Sequence, residues 1–130
     1  MPKKQKAPRV EVWKDEPEEH DFPAAADYLS LLFPEAVCAA LVDGLRVASP
    51  LRRKAKDLLR ASRLELLPET DPEVRKDLQK VAAGEHLSPV LLVRGSGAAP
   101  LLVADGYHRI CASYHLDEDA EISCRLVDAT

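Results

Sequence analysis

The spacing of apolar positions changes character along the chain, and each change marks a predicted element. Residues 1–20 are polar and charged without periodicity, which predicts a flexible arm where only Val10-Glu11-Val12-Trp13 has strand character. Trp13 is a lone aromatic in that arm and reads as an anchor, either onto its own domain or onto a partner. Pro23 suits a helix first turn and predicts a helix over 23–32. Pro34 forces Phe33 out of helical geometry and restarts the chain as a second helix over 34–46. Leu29, Leu32, Val37, Leu41 and Leu45 make both helices apolar nearly all round, so they must cover either the core or a second subunit.

Ser49-Pro50 is another start signal. Leu51, Ala55, Leu58 and Leu59 follow at helical spacing, which predicts a helix with Arg52, Lys56 and Arg60 in one row on another side. That row is either a solvated face or a set of cations in which Lys56 and Arg60 reach a triphosphate or an acidic substrate. Leu64 to Leu67 reads as a short strand ended by Pro68. Thr70 or Asp71 then caps a helix over 72–83, with Val74, Leu78, Val81 and Ala82 facing the core and Gly84 past its end. Pro89–Val93 and Leu101–Ala104 read as strands joined by the Gly95-Ser96-Gly97 turn, and Ala120–Val127 as a last, alternating strand. Between them lies a helix whose Tyr107, Ile110, Cys111 and Tyr114 form a buried stripe, with Arg109 and Ser113 on the opposite side. Strand, helix, strand from Leu101 to Val127 predicts a crossover with Gly106 at a strand C-terminus, where α/β folds bind ligands. The parts divide as an arm (1–20), a helical segment (21–63) and a core (64–130), together one compact unit.

Composition narrows the class. With 130 residues, 46% of them hydrophobic and 31% charged, the chain is long enough for one domain with a real core. A net charge of −4 argues against nucleic-acid and anionic-membrane partners. No stretch approaches a membrane span and no apolar run follows the lysine-rich start, so the expected location is the cytoplasm. Cys38, Cys111 and Cys124 form no Cys-x-x-Cys pair and sit in apolar surroundings, which predicts reduced, buried thiols. Cys111 is the one candidate for a reactive thiol. No histidine pair has a ligand spacing, so no metal site is expected from the histidines.

The segment Leu102–Ala112, LVADGYHRICA, carries the candidate chemistry. His108 and Arg109 stand at the positive end of their helix, where cations are normally disfavoured. An anion resolves the conflict, because exposed N–H groups, a glycine and a guanidinium together make a phosphate site. Asp105 reads more readily as the cap of this helix than as a catalyst, and His108 either holds the turn or touches phosphate.

Asp105-Gly106-Tyr107-His108-Arg109 followed by Ala112 resembles the Gly-x-x-Arg-x-x-Ala box of the ParB/sulfiredoxin superfamily. It is most similar to the Asp-Gly-His-His-Arg form found in nucleotide-dependent free-serine kinases. Ser88–Val93 and Ala120–Val127 resemble the strands flanking that box, so the resemblance covers Leu64 to Asp128. It implies an α+β fold with a small mixed sheet and packed helices, to which the helices read before residue 64 add an N-terminal helical extension. It also implies nucleotide phosphates contacted by Gly106, His108 and Arg109, with Asp105 shaping the loop or positioning a metal-bound phosphate. ATP or CTP with Mg²⁺ is the implied cofactor, and phosphoryl transfer or NTP hydrolysis the implied reaction. In the resembled kinases an acidic residue of an early loop serves the acceptor hydroxyl, which nominates Asp71 and Glu69 as base or metal ligand. Their alternatives are an N-cap and a solvated side chain. Tyr107 stands where sulfiredoxins carry their reactive cysteine, which argues against sulfinic acid reduction. A phosphate-sensing or protein-interaction module without catalysis is the second reading, a nuclease the third, and a relic of the fold the fourth.

Overall fold

Val90-Leu91-Leu92-Val93 is apolar without a break because both faces of this strand are covered. The computed structural model describes residues 13–129. Among them run α1 (Asp21–Leu29), α2 (Glu35–Val47), β1 (Leu51–Lys54), α3 (Ala55–Ser62), α4 (Pro72–Ala82), β2 (Val90–Arg94), β3 (Leu102–Asp105), α5 (Tyr107–Leu116) and β4 (Glu121–Asp128). The strands form one mixed sheet in the order β1-β4-β2-β3, with β2 and β4 parallel and the outer pairs antiparallel. The fold class is therefore α+β, as expected.

Alternation on the sheet decides what packs where. Val90, Leu92, Val103, Ile122 and Cys124 point to one side and meet Leu58 and Leu59 of α3, Val74 of α4 and Ile110 and Cys111 of α5. Leu91, Val93 and Ala104 point to the other and meet Phe22, Ala25 and Leu29 of α1 and Leu41 and Leu45 of α2. The helices at 21–29 and 35–47 thus lie within a few residues of their predicted bounds and cover the sheet. Leu32 and Val37, expected in the same apolar cover, are instead exposed, as is Ala82 of α4.

Three expectations about the backbone need correction. Leu51–Lys54 is a strand and not the first turn of a helix, because it pairs with β4 from Leu51↔Cys124 to Lys54↔Glu121 and satisfies that strand's open edge. Arg52 consequently leaves the row it was to form with Lys56 and Arg60, and residues 51–62 belong to the sheet and the helix packed beside it. Leu64–Leu67 has no ladder partner; its carbonyl groups are taken by side chains of α5, Glu65 by the Tyr107 hydroxyl at 2.5 Å and Leu67 by His115 Nε2 at 2.7 Å. Finally, β3 and β4 flank β2 and run antiparallel to each other, so α5 does not make the predicted parallel crossover between them.

Most of the predicted arm, residues 1–12, lies outside the described residues. Trp13 anchors onto its own domain, buried and bridged to Leu87, and the Lys14 amide donates to the Leu87 carbonyl at 2.7 Å. Arg125, fully buried in β4, holds the next residues by donating to the Asp15 carbonyl at 2.6 Å. Cys38, Cys111 and Cys124 are free and buried, and burial raises the thiols of Cys111 and Cys124, the latter to about 12. Burial therefore removes the case for a reactive Cys111. Among the described residues no helix is long and apolar enough to cross a membrane.

The two-sided core makes a direct prediction. Leu45, at 0% exposure, should cost about 2–5 kcal/mol when replaced by alanine. Val47, 82% exposed two residues on, should cost less than about 0.5 kcal/mol in the same urea titration.

Candidate functional site

Past the C-terminal end of β3 the chain turns directly into α5, and Gly106 makes the turn in the left-handed region at φ 116°. Its missing side chain matters twice over. A Cβ there would sit 2.4 Å from Val90 Cγ1 and 2.9 Å from Arg109 Nη2, so the glycine admits both the wall of β2 and the returning guanidinium. No side chain caps α5, which leaves the leading amides of its first turn free of the usual Asp or Ser partner. Asp105 does not supply the predicted cap, because its carboxylate is committed elsewhere.

That commitment is to Arg109, whose Nη2 donates to Asp105 Oδ2 at 2.9 Å. Asp21, the first residue of α1, approaches the same Nη2 at 4.0 Å. The Ser88 hydroxyl donates to Asp21 Oδ2, and the Glu18 amide donates to Ser88 Oγ at 3.0 Å. Helices from both faces of the sheet therefore meet around one guanidinium. Burial holds the Asp105 carboxyl above the usual carboxylate range, and hydrogen-bonded Asp21 adds to this against the lowering field of Arg109. Arg109 Nε is buried without a hydrogen-bond partner among the described residues. Its side chain was expected on the side of α5 away from the core stripe; it is instead mostly buried, against Asp105 and Asp21.

His108, half-exposed, faces Asp71 with 3.9 Å between Nε2 and Oδ2. Asp71 caps α4, its Oδ2 accepting from the Glu73 and Val74 amides at 3.1 Å each, so the capping role holds and the same carboxylate still borders the motif. Asp77 lies one turn into α4, between Val74 and Leu78 on the face packed against α5. Burial raises its carboxyl, opposed by the fields of Arg109, Lys80 and His108. Around Arg109 there are thus two acids, Asp105 from the end of β3 and Asp21 from the start of α1.

The structure does not bring every candidate here. Lys56 pairs with Asp119 at 2.8 Å beyond the far end of α5, which raises the lysine and lowers the aspartate. With Arg60, Leu64 and Tyr114 it lines a separate depression of about 460 Å³. The length of α5, about 15 Å at 1.5 Å per residue, separates Lys56 from the motif turn. Glu69 is exposed and faces His115 at 3.7 Å, away from His108. Ser113 is buried inside the packing of α5. Asp105, Gly106, His108, Arg109 and Asp71 come together; Lys56, Arg60, Glu69 and Ser113 do not join them.

Asp21, Ser88 and Asp77 were not singled out from the sequence. Asp77 carried a signal, being an acid on the apolar stripe Val74–Leu78–Val81. Asp21 and Ser88 are ordinary cap and loop residues by sequence, and only the tertiary fold joins them. Glu18, His20 and Asp21 also place ligand-type atoms within 4.8 Å of one another, with His20 Nε2 at 3.2 Å from Glu18 and 3.3 Å from Asp21. Comparison with protein-family models, curated proteins and solved structures finds no match in any of the three.

The raised Asp77 carboxyl fixes a sign. Its folded form prefers the proton, so stability is fully present below the unfolded carboxylate range and is lost as pH rises through the folded value. Asp77→Asn should therefore stabilise the protein near pH 7, by something of order 1 kcal/mol. That gain should vanish near pH 3, where aspartate is protonated in both states. Thermal unfolding of both proteins at the two pH values measures it; equal midpoints at neutral pH would refute the buried-charge account.

Proposed function

We propose that the first turn of α5 binds the phosphate of a nucleotide or another phosphorylated small molecule, in a domain of the ParB/sulfiredoxin type. The observation that carries this reading is the placement of His108 and Arg109 in the first turn of a helix that no side chain caps, entered through a left-handed Gly106. Free amides at a helix start attract anions, and a guanidinium beside them adds a charge-assisted donor. Arg109 is held by Asp105 in the meantime, which keeps the guanidinium at the turn.

ATP or CTP with Mg²⁺ is the nominated ligand. Phosphoryl transfer or NTP hydrolysis is the catalytic form of this reading, and phosphate sensing without turnover the other. Of the two carboxylates nominated for catalysis, Asp71 is the one beside His108 and keeps that candidacy. Nuclease activity fits poorly, because the acids around Arg109 repel a polyanionic backbone. Buried free thiols agree with a reducing compartment such as the cytoplasm.

Calorimetric titration with ATP, CTP and inorganic tripolyphosphate, with and without Mg²⁺, tests the site. His108→Ala and the charge-preserving Arg109→Lys should each weaken binding about tenfold or more, since lysine cannot reproduce the guanidinium fork. Absence of binding by the unaltered protein up to about millimolar ligand would overturn the proposal.

A second reading has its own support at the corner between α1 and α2. Leu31 is 81% exposed there, with Leu32, Val37 and Tyr28 also open to solvent, which favours a second subunit. Sedimentation velocity at about 100 μM should then show a dimer that Leu31→Glu dissociates. A monomer at that concentration would remove this reading.

A further inference from the structure

Toward the C-terminal ends of the parallel strands β2 and β4, the side of the sheet that carries α3 is only partly covered. Leu51, Leu92 and Leu126 all point to that side, Leu92 and Leu126 as partners in the parallel register. With Leu58 of α3 and Leu101 before β3 they line an apolar slot of about 330 Å³. The slot opens into a mouth of about 500 Å³ beside the loop that follows β2, and the two share Ala61, Leu101 and Leu126. The Leu101 amide donates to the Ala61 carbonyl at 2.9 Å, which holds the return of that loop against α3. Ala61 puts only a methyl group where a larger side chain would close the passage. The register Leu91↔Asp105 sets Gly106 at the opposite end of β2, so this groove and the motif turn are separate.

The rim of the groove is cationic. Arg53, Arg60, Arg63 and Arg94 line it, and the acids that answer them are Asp57, 3.4 Å from Arg60, and Asp128, 2.8 Å from Arg94. Arg53 and Arg63 pair with no acid among the described residues. Each donates to a backbone carbonyl instead, Arg53 to Arg52 at 2.8 Å and Arg63 to Ala98 at 2.9 Å. Half-buried leucines and guanidinium groups without carboxylates call for the same occupant, an apolar body that ends in an anion. Inorganic phosphate would leave the leucines in water, and a neutral hydrocarbon would leave the arginines unanswered. Residues 1–12 have the wrong sign to cover this rim, with Lys3, Lys4, Lys6 and Arg9 against Glu11 alone.

We propose that this groove binds a small amphipathic anion, an alkyl carboxylate or alkyl phosphate of medium length. Its tail lies between α3 and the sheet, and its head meets the arginines of the mouth, of which Arg63 is the one without an acid. The inference is independent of the phosphate reading of α5.

Calorimetric titration of the full chain with octanoate, octyl phosphate, octanol and acetate tests it. Octanoate and octyl phosphate should bind one to one, and hexanoate about tenfold more weakly than octanoate, as the loss of two buried methylenes requires. Octanol and acetate should each bind at least about tenfold more weakly than octanoate. Arg63→Ser should weaken octanoate about tenfold and leave octanol unchanged. Ala61→Phe alters an exposed position of α3, so it should fold, and it should block both. Arg75→Ser, which removes an exposed charge of α4 outside the groove, should change nothing. Equal binding of octanol and octanoate, or of acetate and octanoate, overturns the inference. Unaltered octanoate affinity in Ala61→Phe or Arg63→Ser does the same, as does the absence of binding by both anions up to about 10 mM. Octyl phosphate that binds without octanoate and is displaced by tripolyphosphate sits at the motif turn; that outcome overturns this site and leaves the phosphate site standing. A dimer dissociated by Ala61→Phe would make a second copy the occupant and would overturn it as well.

Discussion

One guanidinium ties this molecule together at its functional end. Arg109 reaches back over Gly106 to Asp105, and its approach to Asp21 links α5 on one face of the sheet to α1 on the other. A side chain at 106 would collide with Val90 and with the guanidinium at once, so the glycine, the arginine and the end of β3 form one unit. The arrangement is costly by the ordinary rules. Cations stand at the positive end of a helix, carboxyls are raised by burial, and Arg109 Nε has no acceptor among the described residues. Proteins concentrate such violations at functional sites, where a ligand supplies what the free structure lacks.

The core shows none of this tension. Alternate residues of β2 feed two separate apolar clusters, one under α1 and α2 and one under α3, α4 and α5. The violations cluster where these layers end, past β3. A rigid sheet edge with helix starts from both faces fixes charged groups that would otherwise separate, and the same rigidity keeps the first turn of α5 open.

Much of this was legible beforehand. Prolines and periodic apolar residues located α1, α2 and α4, and the apolar run at Pro89–Val93 announced a strand, whose burial on both faces only the structure shows. What failed was anything that depended on a partner distant in sequence. Leu51-Arg52-Arg53-Lys54 has the composition of a solvated helix turn, and it becomes a strand only because β4 offers an unpaired edge some 70 residues later. Leu64–Leu67 has the composition of a strand and finds no partner. The motif turn was visible as Gly-x-x-Arg, but its setting was not: Asp21 and Ser88 lie far from it along the chain. Lys56 and Arg60 drew attention by charge alone, and tertiary structure sends them to the opposite end of α5.

The account stands or falls on where an anion lands. Amide-resolved NMR of the isotopically labelled protein titrated with tripolyphosphate and Mg²⁺ reports this for each residue. Shifts concentrated at Gly106, Tyr107, His108, Arg109 and Ile110 are the predicted result. Shifts confined to Lys56, Arg60 and Tyr114, or none at all, would contradict it.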